Sequence, residues 1–72
     1  MATQRVYWCG PLEPVCQISN KPYDGVMYDA NTPLGWANIC QEVFDRYDCK
    51  LGTGFGQKYE LQVDGRWLKV SG

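Results

Sequence analysis

The sequence contains no histidine. That removes the side chain best suited to moving protons near neutral pH, and also the commonest nitrogen ligand for zinc. A general base would have to be a carboxylate, a lysine or a cysteine, and a thiol at Cys9 or Cys49 has no imidazole to activate it. No catalytic set emerges, so the chain is expected not to be an enzyme. Charge of one sign is scarce too. Seven basic residues against eight acidic ones leave a formal net charge of -1, which gives no general pull toward nucleic acid or an anionic membrane. No hydrophobic run approaches the ~18 residues of a membrane span. Residues 1–6, Met-Ala-Thr-Gln-Arg-Val, carry neither the basic start nor the apolar core of a secretory signal. These absences lead to the expectation of a cytoplasmic protein. Disulfides are rare in that compartment, so the four cysteines are read first as thiols and then as possible ligands.

A chain of 72 residues is expected to form a single domain spanning 1–72. A domain this short buries only ~60% of its unfolded surface, and small scaffolds often add disulfides or a structural metal. Three tryptophans, five tyrosines and two phenylalanines offer another remedy, because large rings fill a small core efficiently. Charge is unevenly spread. Lys50, Lys58, Arg66 and Lys69 face only Glu60 and Asp64 in the last third, which is therefore mildly basic.

The pattern predicts an α+β fold, with one amphipathic helix on a small antiparallel sheet. Residues 5–9 are rich in strand formers, and residues 12–23 are interrupted by prolines. Asp24-Gly25 signals a turn, with a strand from Val26 to follow. A helix is expected over about 33–48. Thr32 is placed at its N-cap and Pro33 at its first position, and Trp36, Ile39, Cys40, Val43, Phe44 and Tyr47 form one apolar stripe. On this reading Trp36 is core, and Glu42, Asp45 and Asp48 lie toward solvent. A C-terminal hairpin is expected over about 57–70, closed by a two-residue type I′ turn at Asp64-Gly65. That turn would pair Leu61 with Leu68 and Glu60 with Lys69. Trp67 would then stand on the outer face beside Lys58 and Lys69. The run Gly52-Thr53-Gly54-Phe55-Gly56 follows a helix and precedes a strand, the reverse of a phosphate-binding arrangement. It reads as a connector using positive φ.

From Cys16 onward the chain resembles a group of small, mostly uncharacterised phage and prophage proteins with two Cys-x-x-Cys knuckles. The matching pieces are Tyr28-Asp29, Thr32, Gly35-Trp36-Ala37, Ile39-Cys40, Phe44, Leu51-Gly52-Thr53-Gly54, Gly56-Gln57, Tyr59, Asp64-Gly65 and Trp67 to Val70. The resemblance implies a treble-clef or zinc-ribbon-like layout of knuckle, hairpin and helix. It also implies an origin in a phage and a place in the host cytoplasm. Each knuckle departs from the pattern. Cys16 is followed at the fourth position by Ser19, and Cys40 by Val43. Tetrahedral structural zinc takes four Cys or His ligands, so a zinc site would have to recruit Cys9 and Cys49 to Cys16 and Cys40. The alternatives are a metal-free core with buried thiols, favoured because free cysteine packs as a small hydrophobe, or a disulfide between Cys16 and Cys40 or between Cys9 and Cys16.

Three functional expectations follow. The first is a phage-encoded accessory protein that binds a host or phage protein, with Trp67, Lys58, Lys69 and Arg66 of the hairpin and Glu42 and Asp45 of the helix as candidate contacts. The second is a nucleic-acid-binding module that uses the hairpin face, where Trp67 could stack on a base. The third is a structural zinc domain. For Trp67 the competing reading is burial beneath the N-terminal strand (Val6, Trp8). For Glu42 and Asp45 it is a solvated acidic face. Asp29 is expected to serve a local hydrogen-bonded turn.

Overall fold

The computed structural model describes residues 5–72. Its elements are strands β1 (Val26–Thr32) and β2 (Gly35–Ile39), helix α1 (Gln41–Arg46), and strands β3 (Gly56–Leu61) and β4 (Trp67–Ser71). The strands form one antiparallel sheet in the order β2-β1-β3-β4. The chain is thus a small α+β protein, as its sequence pattern indicates.

The first hairpin corrects the predicted helix over 33–48. Its first half is β-structure. Thr32 does not cap a helix but ends β1. Its hydroxyl accepts from the Leu34 amide at 3.0 Å and donates to the Gly35 carbonyl at 2.7 Å, which clamps the Pro33-Leu34 turn. A threonine followed by proline suits a turn as well as an N-cap, and Gly35 at φ +104 closes the helical option. Strand β2 runs from an exposed end at Gly35 and Trp36 to a buried one at Ile39. Ala37 and Ile39 lie opposite Ala30 and Tyr28 of β1, whereas Trp36 points outward and is 52% exposed rather than core.

Helix α1 is the surviving second half. Six residues are too few for a helix to stand alone in water, so packing holds it. Val43 is wholly buried, and the Phe44 ring stacks on Tyr28 of β1 at 3.9 Å. Asp48 stops it by adopting φ 51, which lets Asp48 N–H reach Asp45 O and Cys49 N–H reach Phe44 O. That pair of bonds is the Schellman end of a helix, with aspartate in the place glycine usually takes.

The second hairpin corrects the predicted register. A type I′ turn needs positive φ at both central residues, but of Asp64 and Gly65 only Gly65 has it (φ 87). The loop is one residue longer. Gln62 N–H bonds Arg66 O at 2.8 Å and Gly65 N–H bonds Gln62 O at 3.0 Å, a type I turn with a glycine bulge. Leu61 therefore pairs with Trp67, Glu60 with Leu68 and Tyr59 with Lys69. A slip of one residue turns every β4 side chain to the opposite face. Trp67 joins Tyr59 on the inner side, Glu60 loses Lys69 as its partner, and Val63 leaves the core face for the exposed tip.

The core lies on both sides of β1. Tyr28, Ala30 and Ile39 face α1. Met27 and Tyr59 form the other side, where Trp8 meets Tyr59 edge-on at 5.6 Å and Tyr23 meets Trp67 edge-on at 5.7 Å. The N-terminal segment pairs with the rim of β4 through a bridge at Tyr7 and Leu68, with Lys69 N–H to Val6 O and Trp8 N–H to Trp67 O. After α1, the glycine run turns the chain into β3. Gly56 sits where a Cβ would come within 2.8 Å of the Lys50 carbonyl, so no larger residue fits without a shift.

Candidate functional site

The chain between Cys16 and Lys21 closes on itself. Asn20 N–H bonds Cys16 O and Cys16 N–H bonds Lys21 O, both at 2.9 Å, and Asn20 takes φ 61 to allow the reversal. This small loop aims the Ser19 amide at the Cys16 sulfur, 3.4 Å away. The Ser19 hydroxyl meets the sulfur of Cys40 at 3.6 Å. Cys40 is the N-cap residue of α1, and Val43 lies buried within the helix's first turn. The four positions singled out in the sequence as two knuckles thus converge, with one serine between two buried sulfurs. The loop is tied to the sheet through Gln17, whose N–H bonds Asn38 O and whose side-chain oxygen accepts from Asn38 N–H.

This environment favours a negative sulfur at Cys16. Burial pushes its thiol up, but the Ser19 side chain and the amides of Ser19, Cys40 and Ile18 together outweigh burial and bring it from 9.0 down to about 7. Tyr23 lies close by and moves the other way. Burial first, then the charges of Cys16, Glu13 and Cys40, push its hydroxyl up to about 12, and it donates to the Glu13 carbonyl at 3.0 Å. Two shallow clefts flank the pair. One, of ≈ 210 Å³, is lined by Glu13, Val15, Cys16, Gln17 and Asn20. The other, of ≈ 190 Å³, includes Lys21, Tyr23, Cys40 and Glu42 in its wall.

The site does not suit structural zinc. Two sulfurs, a serine hydroxyl and a valine do not complete a tetrahedral shell of Cys or His ligands. Among the described residues no three or more Cys, Asp or Glu side chains gather in a metal-holding arrangement. Cys9 is exposed and Cys49 is half-buried just past α1, where burial and then the Asp48 charge raise its thiol. The ligand set Cys9, Cys16, Cys40 and Cys49 is not brought together. All four are free thiols.

The predicted surface residues are also divided. Lys58 pairs with Tyr28 and stays on that side of the sheet, its ammonium 6.0 Å from the Tyr28 ring centre, while the register slip carries Lys69 and Trp67 to the Tyr59 side. Trp67 is half-buried against Tyr23, and Arg66 lies over the Tyr7 ring while bonding Asp64 at 2.8 Å. Lys58, Trp67, Lys69 and Arg66 therefore do not make one basic aromatic face. On α1, Glu42 takes Arg46 at 2.8 Å and Lys21 at 3.5 Å, and Asp45 accepts from Gln41 at 3.0 Å. Asp29 is mid-strand between Asn38 and Gln57 rather than in a turn, and burial raises its carboxyl.

Sequence reasoning missed the free edge of β2. Asn31 N–H turns toward β3 and bonds Phe55 O, so Asn31 and its partner Trp36 form a pair without mutual backbone bonds. The Trp36 N–H and C=O therefore point outward, as those of Asn38 do. Gln17 meets Asn38, but no partner among the described residues meets Trp36. Leu34 and Phe55, 74% and 57% exposed, belong to the same end of the sheet. No side-chain pattern signals such an edge, and the helical stripe through Trp36 and Ile39 hid the strand itself.

Among the described residues no helix is long and apolar enough to cross a membrane. Comparison with protein families, curated proteins and solved structures finds no match for this chain. Among the described residues the fold and its geometry define the class: a small antiparallel sheet with one short helix, a buried pair of thiols and an open strand edge at β2.

Proposed function

We propose that this chain is a small phage-encoded accessory protein that acts in the host cytoplasm by binding a host or phage protein, as an inhibitor where that partner is an enzyme. The observation that carries the reading is the open edge at Trp36. An N–H and C=O without a partner among the described residues, beside an exposed indole, are what an extended segment of a partner needs in order to add as a further strand, with main-chain bonds giving affinity and side-chain contacts giving selectivity. Tryptophan is also the residue type most enriched among binding hot spots. The knuckle-like convergence of Cys16, Ser19, Cys40 and Val43 supports kinship with the phage proteins that the sequence resembles, and a treble-clef-like scaffold.

The test is paired affinity capture from lysates with the unmodified protein and with Trp36→Asp, followed by hydrogen exchange on any protein that only the former retains. The expected result is a partner lost with Trp36→Asp whose binding slows exchange at the Trp36 amide. A partner retained equally by both forms, or one that protects amides elsewhere, overturns the edge reading.

A further inference from the structure

The paired sulfurs have a chemistry separate from the β2 edge. Cys16 and Cys40 both contact Ser19, one through its amide at 3.4 Å and the other through its hydroxyl at 3.6 Å. They come from distant parts of the chain, the 16–21 loop and the start of α1, so the fold alone unites them. Both are reduced and neither completes a metal shell. The cleft that Cys16 helps to line has ≈ 210 Å³, whereas a water molecule needs only ~10–15 Å³ of probe volume. Hydrogen peroxide, little larger than water, fits that cleft and needs the smallest opening to reach the fully buried Cys16 sulfur, whereas a bulky thiol reagent needs a larger one.

We propose that Cys16 and Cys40 are a peroxide-reactive dithiol, with Cys16 the attacking sulfur and Cys40 the resolving one. In the first step the Cys16 thiolate attacks one oxygen of hydrogen peroxide. The S–O bond forms, the O–O bond breaks, and the departing hydroxide takes a proton to become water. In the second step the Cys40 sulfur attacks the Cys16 sulfenic acid. The S–S bond forms, the S–O bond breaks, and hydroxide leaves as a second water with the Cys40 proton. Two thiols lose two electrons, and one peroxide becomes two waters. Sulfenic acids condense readily with an adjacent thiol, and the amide and hydroxyl donors around Cys16 supply the thiolate that the first step requires. Ser19 is half-exposed, so its side chain has room to swing aside as the sulfurs close to ~2.05 Å.

The experiment uses the whole chain, fully reduced, treated with hydrogen peroxide near neutral pH. Intact mass is followed with time, and chymotryptic peptides cut after Tyr23 or Tyr28 separate the two cysteines. The expected product has lost two hydrogens and links Cys16 to Cys40, forming roughly tenfold faster than Cys49 oxidises, since thiolate fraction sets the rate and nucleophilicity only partly offsets it. A bulky aromatic disulfide reagent should label Cys9 and spare the buried pair. In Cys40→Ser, Cys16 should stop at the sulfenic acid and be trapped by dimedone. The proposal is overturned if Cys9 or Cys49 oxidises first, if the bridge joins another pair, or if Cys16 and Cys40 stay reduced while exposed thiols are consumed. The wild-type peptide map decides the matter even if the variant does not fold.

Discussion

The dipeptide Asp-Gly occurs twice, and the two copies do different things. At Asp24-Gly25 both residues take positive φ, 59 and 83, and Val26 N–H returns to Tyr23 O at 3.4 Å, as a type I′ turn requires. At Asp64-Gly65 only the glycine is left-handed. The difference lies in the aspartate side chain. Asp64 accepts from the Arg66 amide at 3.0 Å and the Arg66 guanidinium at 2.8 Å. No such bond is seen for Asp24 among the described residues. A carboxylate held by the residue two places on favours the right-handed conformation at Asp64, and the loop lengthens by one residue. The flanks differ as well. Tyr23 and Met27 are buried beside the first turn, while Val63 is 111% exposed beside the second. The first turn is therefore locked by the core, and the second by its own side chain.

The contrast can be broken most forcefully at Met27. It is fully buried next to the first turn, and Met27→Ala should cost about 3 kcal/mol in denaturant unfolding by the usual penalty for emptying a core site. A loss under about 1 kcal/mol would mean that the first turn is not anchored by the core. Next come the glycines. Gly25→Ala and Gly65→Ala each force a β-carbon into positive φ, worth about 1–2 kcal/mol. The Gly25 change should be the larger, because buried Tyr23 and Met27 hold the backbone on either side of it, whereas Val63 beside the second turn is exposed. Equal Tm losses would remove the distinction.

A subtler test is Asp64→Asn, which deletes the charge-assisted bonds to Arg66 and leaves Asn-Gly, the strongest local signal for the two-residue turn. The Leu61–Trp67 register should survive, because Trp67 is packed on Tyr23. A nuclear Overhauser contact between Leu61 and Leu68 as direct cross-strand partners would show that the turn dictates register. Hydrogen bonds from the Arg66 amide and then the Arg66 side chain hold the Asp64 carboxyl below its ordinary range. Its folded value is thus lower than its unfolded one, so its contribution is complete above the unfolded value and lost as pH falls through the folded one. The Arg66 amide resonance should move only below pH ~3.9. Movement already near neutrality would contradict the Asp64 assignment. The smallest effect belongs to Val63→Ser, expected within about 0.5 kcal/mol of zero because that side chain is fully exposed.

The β3–β4 hairpin, the strand after Asp24-Gly25, the glycine connector and the apolar run from Cys40 to Tyr47 could all be read from sequence. Trp36 was misplaced because a spacing of three sets it on the same helical stripe as Ile39 but on the opposite face of a strand, and so short a window does not decide between the two periods. The candidate site was half legible. Spacing picked out positions 16, 19, 40 and 43, but not that Ser19 would bridge the two sulfurs. The free edge of β2 escaped because it is made of main-chain groups, which no side-chain pattern reports.

What the sequence determined by itself is local: where the chain must turn, which segments carry an apolar side, and that no histidine-based chemistry is present. Tertiary structure decided the rest. It chose strand over helix for residues 35–39 by offering the Ala30 and Tyr28 side of β1 as a neighbour, and it set the last hairpin's register by giving Trp67 a place on Tyr23. The physical reason is that local preferences differ by only a few tenths of a kcal/mol to about 1 kcal/mol. Burying one large side chain is worth about 1.5–3 kcal/mol, so a single packing contact outweighs the local signal wherever the two disagree.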